Sequence, residues 1–540
     1  MQIYSNKSFS NPIDIIQAEG DLKQAFAKID KLRQQYYLLG YITYDFKKLY
    51  FEVFDKFTEY KPKTPKQLGT IIKPLISKET YIKAINKIKK YIENGVTYEV
   101  NYTYPSEVLT NLNGIDLYEA ILEKQKTPYN TYLETPELIL LSYSPELFFK
   151  LQGNKILTKP MKGTAPRLGD EEDSTRREFL YNDIKNRAEN IMIVDLLRND
   201  LGRISKTGTV RVDKLFEIEE HPTVFQMTSE ISSKLEENTS LYDIFKAIFP
   251  CGSITGAPKI STMRVIDELE PFDRNIYCGA IGFLSPDICE FSVPIRILYG
   301  KDNKYTYHAG GAIVWDSTAE DEWEETLVKT KFLQTDFQLI ETAIDDWQRH
   351  VTRIKKSALE LGFEWNKDIE NLRKTQELIP SPWGRAREGA CPCNINLEKL
   401  RILLHKDGSF QKQETPLPTA TNHQELPKIK LQGKVNSHNS FLYHKTTIRE
   451  SMPTDVFEHI RTNERDEITE GTFTNIAIEK DGKLYTPPVS CGLLNGTYRQ
   501  KLIENGELIE KIIYPKDLKT ADKIFCFNSV RKMIEVELCS

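Results

Sequence analysis

YTYHAGGAIVWDSTAEDEWEETLVKTKFLQ, residues 305–334, carries two periodicities back to back. Residues 305–316 are rich in aromatic and β-branched side chains and read as a strand. From Ser317-Thr318-Ala319-Glu320 the pattern changes to a capping box, an acidic first turn and late Lys329 and Lys331, so the spacing predicts a helix over 319–334. Strands are also predicted over 36–45, 137–144 and 278–285, and helices over 78–95 and 177–202. Strand-like and helix-like stretches thus alternate over residues 1–330 without the strict βαβ order of a doubly wound sheet.

The chain has 540 residues, enough for two to four domains. It is 39% hydrophobic and 28% charged, which excludes wholesale disorder. Lys plus Arg is 73 against 78 for Asp plus Glu, a formal charge of −5 that gives no reason to expect nucleic acid or an anionic membrane as partner. No apolar run approaches the roughly 18 residues needed to span a bilayer, and the start lacks the pattern of a signal peptide. Eight sparse cysteines fit a reducing cytoplasm. Cys391 and Cys393 form a C-x-C with no second pair at metal spacing, and read as free thiols in a loop. After about residue 366, the Pro- and polar-rich stretches 379–394 and 411–427 read as loops, with strands returning from 440. The chain divides into a first unit of about 330 residues and a second of about 205, joined near residues 331–336.

Several stretches of the first unit carry chemistry. YSPELFFKLQGNKILTKPMKGTAPR (143–167) places Glu146 in a turn after a strand, and Lys162 in a tight turn before Gly163. Partial burial would lower the pKa of such a lysine toward nucleophilic use, although alone it reads as a solvated surface residue. Glu189 lies in RAENIMIVDLLRNDLG, and Glu322 and Glu325 share a helix face at i, i+3. Together they could supply a Mg²⁺ site; from spacing alone the pair reads as an acidic solvated face. PCGSITGAPKISTMRVIDELEP (250–271) sets glycines before Pro258, placed as the first residue of a helix whose N-terminus could hold an anion. The bare backbone of 310–312 and Arg296 could face carboxylates.

In combination, SPELF, KPMKGTAPR, RAENIMIVDLLRNDLG, PCGSITGAPK and AGGAIVWDS…EWEETLVK resemble the chorismate-utilising enzymes across residues 1–333. The resemblance implies an α+β fold, a two-sheet β core flanked by helices. The lysine form of the Pro-Met-Lys-Gly-Thr turn resembles aminodeoxychorismate synthases, where anthranilate synthases carry alanine. It implies that Lys162 adds to C2 of chorismate as the C4 hydroxyl leaves, and that ammonia then attacks C4 and expels the lysine. Glu146 matches the general acid, and Glu189, Glu322 and Glu325 the Mg²⁺ ligands. Thr255, Gly256, Tyr277, Arg296, Gly311 and Ala312 fall where the family holds the substrate. Ala312 replaces a usual glycine, and Gln226 stands where some relatives have histidine.

In the second unit Lys445 ends a strand-like FLYH, and GLLNGTYRQKLI turns through Asn495-Gly496 into a helix starting near Thr497, a phosphate-binding geometry. Glu470 could pair with a pyridinium nitrogen. Each alone reads as structural. Together they resemble fold-type IV pyridoxal phosphate enzymes, specifically aminodeoxychorismate lyases, over residues 337–540, which implies a smaller α+β domain. The resemblance makes Lys445 the Schiff-base lysine, Glu470 the pyridine-nitrogen partner and Arg353 the phosphate-binding arginine. Asn475, Gly496, Thr497, Asn528 and Ser529 would surround the cofactor. The two units would then make 4-aminobenzoate from chorismate and ammonia. The alternatives are an anthranilate or isochorismate synthase in the first unit, and an aminotransferase or a non-catalytic scaffold in the second. No cysteine has the setting of a glutaminase nucleophile, so a separate glutaminase subunit is expected.

Overall fold

The computed structural model describes residues 1–221, 224–373, 398–416, 425–448 and 452–539. Cys391 and Cys393 lie outside them. Two sheets of ten strands each form the first unit among these residues. One runs from Gly256–Ala257 through Glu99–Thr110, Lys304–Ile313, Ile297–Lys301 and Ile139–Ser144 toward the N-terminal hairpin. The other runs from Met161–Pro166 through Val224–Lys234, Lys155–Lys159 and Leu147–Gln152 toward Tyr37–Ile42. Alternating apolar residues such as Leu140, Phe149, Ile156, Ile231 and Ile281 fill a common core. Pro145 and Glu146 alone join Ile139–Ser144 of one sheet to Leu147–Gln152 of the other, which puts Glu146 at the seam between them.

Several local readings are corrected. The stretch 177–202 is two helices, Asp173–Asn182 and Ile184–Gly202, because the Asp183 carboxylate caps the second by accepting from the Asn186 N–H at 2.8 Å. The helix expected over 319–334 is Ala319–Val328, followed by a 3-10 turn at Lys331–Leu333. Its cap is Thr318, which accepts from Asp321, because the Ser317 hydroxyl is spent on Glu322. Pro258 is likewise the N-cap of Lys259–Leu269 rather than its first residue. Lys162 lies in strand Met161–Pro166, not in a free turn: the register slips between Met161 and Thr164, and Gly163 has φ +86°.

The second unit has a three-stranded sheet, Leu339–Ala343, Glu398–Leu404 and Phe410–Pro416, and an eight-stranded mixed sheet. Strands thus return at 398, before the expected 440, and Phe410–Pro416 takes the start of the supposed loop 411–427. Helix Trp347–Leu361 buries Trp347, Val351, Ile354, Ala358 and Leu361 against the small sheet and ends at Gly362 with φ +72°. FLYH is a 3-10 turn, Ser440–Tyr443, rather than a strand. The residue after it is nonetheless fixed, since the Ile340 N–H donates to the Lys445 carbonyl at 2.7 Å.

The two units share packing. Ile71 of the first belongs to one apolar cluster with Phe337, Leu339 and Phe441 of the second, and the Asn439 side chain donates to the Asn111 carbonyl at 3.1 Å. No helix among the described residues is long and apolar enough to cross a membrane.

Candidate active sites

The first site lies where the ends of the two large sheets meet. Glu99 begins a strand of one sheet and Lys162 sits in the last strand of the other. Their side chains form a buried ion pair. Glu99 is fully buried and its Oε2 has no hydrogen-bond partner among the described residues. The expected depression of the lysine pKa is therefore reversed. Burial does act downward, but Glu99, Glu189 and Glu146 outweigh it and hold the Lys162 amine above its ordinary value. Sequence reasoning missed Glu99; only the fold brings it to the lysine.

Glu146 is buried and accepts from the Ser253 hydroxyl at 2.6 Å. Burial pushes its carboxyl up to about 7, with Ser253 and Lys162 opposing. That value suits a group that gives a proton near neutrality. Gln226 braces the lysine's strand, accepting from the Thr164 hydroxyl at 2.8 Å and donating to the Gly163 carbonyl at 2.6 Å.

Glu322 and Glu325 converge on Gly311. A Cβ there would lie 2.9 Å from Glu322 Oε2 and 3.7 Å from Glu325 Oε1, so any larger residue would crowd both carboxylates. Burial raises the carboxyls of Glu189 and Glu322, and Glu189 feels Glu99 and Glu322 as like charges. Among the described residues no three metal-ligating side chains gather into a ready-made cage. Mg²⁺ needs only one or two carboxylates beside water and substrate oxygens, which Glu189 and Glu322 could supply, whereas Glu325 is paired with Lys329 at 2.7 Å.

Of the substrate residues expected from the sequence, Gly256 lies beside Glu99, and the Thr255 carbonyl accepts from the Asn101 N–H at 2.8 Å. Gly256 has φ +134°, and a Cβ there would sit 2.0 Å from the Glu99 carbonyl. Tyr277 stacks on His308 with ring centroids 4.8 Å apart. Arg296 is half-buried and donates to Gln125 at 2.9 Å. Gly311 and Ala312 pair with Tyr102 and Asn101 across the sheet.

The second site is a cavity of about 310 Å³ lined by all the expected cofactor residues, Arg353, Lys445, Glu470, Asn475, Gly496, Thr497, Asn528 and Ser529. Thr497 opens helix Thr497–Glu504 at its rim. A Cβ on Gly496 would meet Asn475 Oδ1 at 2.2 Å, so glycine keeps the turn against that amide. Asn475 in turn donates to Glu470 at 3.1 Å, and Arg461 lies 3.5 Å from the same carboxylate. Glu341, another group absent from the sequence reading, is buried between Arg353 at 2.6 Å and His350 at 2.8 Å, with Lys445 at 3.9 Å. Burial would raise its pKa, but Arg353 and His350 hold it well below the usual carboxylate range. It fixes Arg353 on one edge, while the remaining guanidinium nitrogen donates to the Asn495 carbonyl at 3.4 Å.

Residues 21–335 match the family described as chorismate binding enzyme. The chain belongs to that family. Residues 341–539 match a second family, amino-transferase class IV, which implies pyridoxal phosphate as the cofactor of the second unit. The lysine, carboxylate and helix N-terminus of its cavity fit that group. Aminodeoxychorismate synthase component 1 of Escherichia coli (strain K12) is 39% identical over 258 residues, 47% of this chain and 56% of the relative. Anthranilate synthase component 1 of Aquifex aeolicus (strain VF5) is 35% identical over 272 residues, 50% of this chain and 55% of the relative. The chain thus spans little more than half the length of these curated relatives. Among solved structures, anthranilate synthase component I from Streptococcus pneumoniae TIGR4 superposes with a TM-score of 0.55 at 24% identity, covering 61% of this chain and 92% of that one. That likeness supports the two-sheet fold of the chorismate binding unit.

Proposed function

We propose that the chain makes 4-aminobenzoate in two steps, with residues 1–333 converting chorismate and ammonia to 4-amino-4-deoxychorismate and residues 337–540 removing pyruvate from it. The observation that carries the first step is Lys162, buried against Glu99 and within the field of Glu146 and Glu189. An anthranilate-type reaction has no use for that amine.

The chemistry follows from the charges. The Lys162 ammonium must lose a proton before Nζ can bond to C2, and Glu99 is the acceptor already in contact. As that bond forms, the C4–O bond breaks, and Glu146 gives its proton to the departing hydroxyl. Ammonia then bonds to C4, and the Nζ–C2 bond breaks to return the lysine. Gln226 keeps the lysine's strand in place meanwhile. Glu189, Glu322 and, exchanging Lys329 for the metal, Glu325 would hold Mg²⁺, which would neutralise a substrate carboxylate facing Gly311.

In the second unit Arg353, Gly496 and Thr497 would hold the phosphate of pyridoxal phosphate, and Glu470 its ring nitrogen. Bound there, the cofactor supplies an electron sink for the substrate's new amino group. Lys445 would move a proton on the substrate while pyruvate leaves, and Glu341 would keep Arg353 in position.

Because Glu146 must carry its proton, kcat/KM of the first step should hold below pH about 7 and fall roughly tenfold per unit above it. A flat profile in Glu146→Gln, at much reduced rate, identifies the group; an unchanged descending limb in that variant would exclude it. Glu189→Gln and Glu325→Gln should each raise the Mg²⁺ needed for half-maximal rate by about tenfold or more. Overlaid Mg²⁺ titrations of both variants and the parent would remove the metal assignment.

Burial holds the thiols of Cys251, Cys278, Cys491 and Cys526 at about 12 and that of Cys289 at about 11, far from a reactive thiolate. None of these five buried thiols is suited to glutaminase chemistry, and a separate glutaminase subunit is the proposed partner, with the cytoplasm the proposed setting. The pure chain should use ammonium but not glutamine; glutamine-dependent product from the chain alone would contradict this.

A further inference from the structure

The segment that carries Lys445 is held from two sides. On one side lies strand Leu339–Ala343: the Ile340 N–H donates to the Lys445 carbonyl at 2.7 Å, and the Thr447 N–H to the Gln338 carbonyl at 2.9 Å. On the other side lies the chorismate binding unit. Phe441 and Ile448, which bracket the lysine in sequence, both press on Gly69 of that unit. A Cβ there would sit 2.1 Å from Ile448 Cδ1 and 3.0 Å from Phe441 Cε1. The φ of Gly69 is outside the left-handed region, so the approach of these two side chains is what calls for glycine. Asn111 Oδ1 accepts from the Gly69 N–H at 2.7 Å, and the Asn111 carbonyl accepts from the Asn439 side chain at 3.1 Å. Strand Leu339–Ala343 is tied to the same place. The Thr70 N–H donates to the Thr335 hydroxyl at 2.9 Å, and the Thr70 hydroxyl donates to the Leu333 carbonyl. Phe337 meets Phe441 with ring centroids 5.4 Å apart, and Ile71 packs into their cluster. Both supports of the lysine thus converge on residues 69–71.

A long, flexible lysine side chain reaches one fixed atom well only where its backbone is already ordered by neighbours. We propose that Gly69, Ile71 and Asn111 form a seat that positions Lys445, so that the chorismate binding unit completes the cofactor site of the second unit. Gly69 and its neighbours act through the lysine and are positioning residues. The inference rests on the reading of Lys445 as the lysine that links the cofactor, and it adds that this link depends on the other half of the chain.

The test titrates the full chain with pyridoxal phosphate and follows the visible absorbance of the linked cofactor. Gly69→Val drives a branched side chain into Ile448 and Phe441 and should raise the cofactor Kd roughly tenfold or more. Ile448→Ala in the same chain vacates that space and should restore most of the affinity, a rescue that general destabilisation would not show. Asn439→Asp adds no bulk: it keeps the acceptor for the Phe441 N–H, 3.0 Å away, but loses the donor to Asn111. It should raise Kd about threefold to tenfold, and it decides the matter if Gly69→Val does not fold. Gly69 lies at the opposite end of strand Glu99–Thr110 from Glu99, roughly 35 Å away, so aminodeoxychorismate formation should stay within about twofold of the parent. Parent-like Kd in both Gly69→Val and Asn439→Asp would overturn the seat. Lys445→Ala tests the underlying reading separately: if its linked-cofactor absorbance equals the parent's, Lys445 is not the linking lysine. The seat is then judged by hydrogen exchange at the Ile340 N–H. Exchange roughly tenfold faster in Gly69→Val, and restored with Ile448→Ala, supports it; unchanged exchange rejects it.

Discussion

Lys162→Ala should lower formation of aminodeoxychorismate from chorismate and ammonium by roughly three orders of magnitude or more, because it removes the group that bonds to C2. The same variant leaves Glu99 buried and without its counter-charge, a change that costs on the order of 3–5 kcal/mol in comparable sites. Loss of rate could therefore reflect loss of fold, and the second unit provides the control. Its turnover of added aminodeoxychorismate should remain near that of the parent; because the two units share packing around Ile71 and Phe441, collapse of the first would show as a loss there. Unchanged synthase turnover in Lys162→Ala would exclude the covalent route.

Lys445→Ala should have the complementary effect. The visible absorbance of cofactor linked to the chain should vanish, and aminodeoxychorismate should accumulate at the parent's rate without 4-aminobenzoate following it. Mixing this variant with Lys162→Ala should restore 4-aminobenzoate, because each supplies the step that the other lacks and the intermediate can diffuse between chains. Product chromatography reads all three results. If Lys445→Ala alone forms 4-aminobenzoate well above the spontaneous rate, the second unit is not a lyase. If the mixture fails while both partial activities persist, the intermediate is passed on without leaving the chain.

What could be read in advance was whatever one short segment encodes. The residues expected around the cofactor all line a single cavity, and Glu146 and Lys162 come together at the seam of the two sheets, because their motifs carry local geometry along with side chains. Glu99 was invisible because it stands 63 residues from Lys162 and nothing in GVTYEV distinguishes it from a solvated carboxylate. The same holds for Glu341, which the fold sets between Arg353 and His350. Where apolar spacing and the observed helix ends differ, competing hydrogen bonds are the reason. Asp183 caps a helix that apolar spacing alone would run straight through, and Ser317 serves Glu322 rather than the helix start. The direction of the Lys162 pKa is not legible in its motif, because a short segment suggests desolvation whereas the three neighbouring carboxylates are assembled only by the fold.

The account stands most directly on the products of the pure chain. Incubated with chorismate, ammonium, Mg²⁺ and pyridoxal phosphate, it should release 4-aminobenzoate and pyruvate in equal amounts, with aminodeoxychorismate as a transient. Anthranilate or isochorismate as the product, or aminodeoxychorismate that is never consumed, would contradict it.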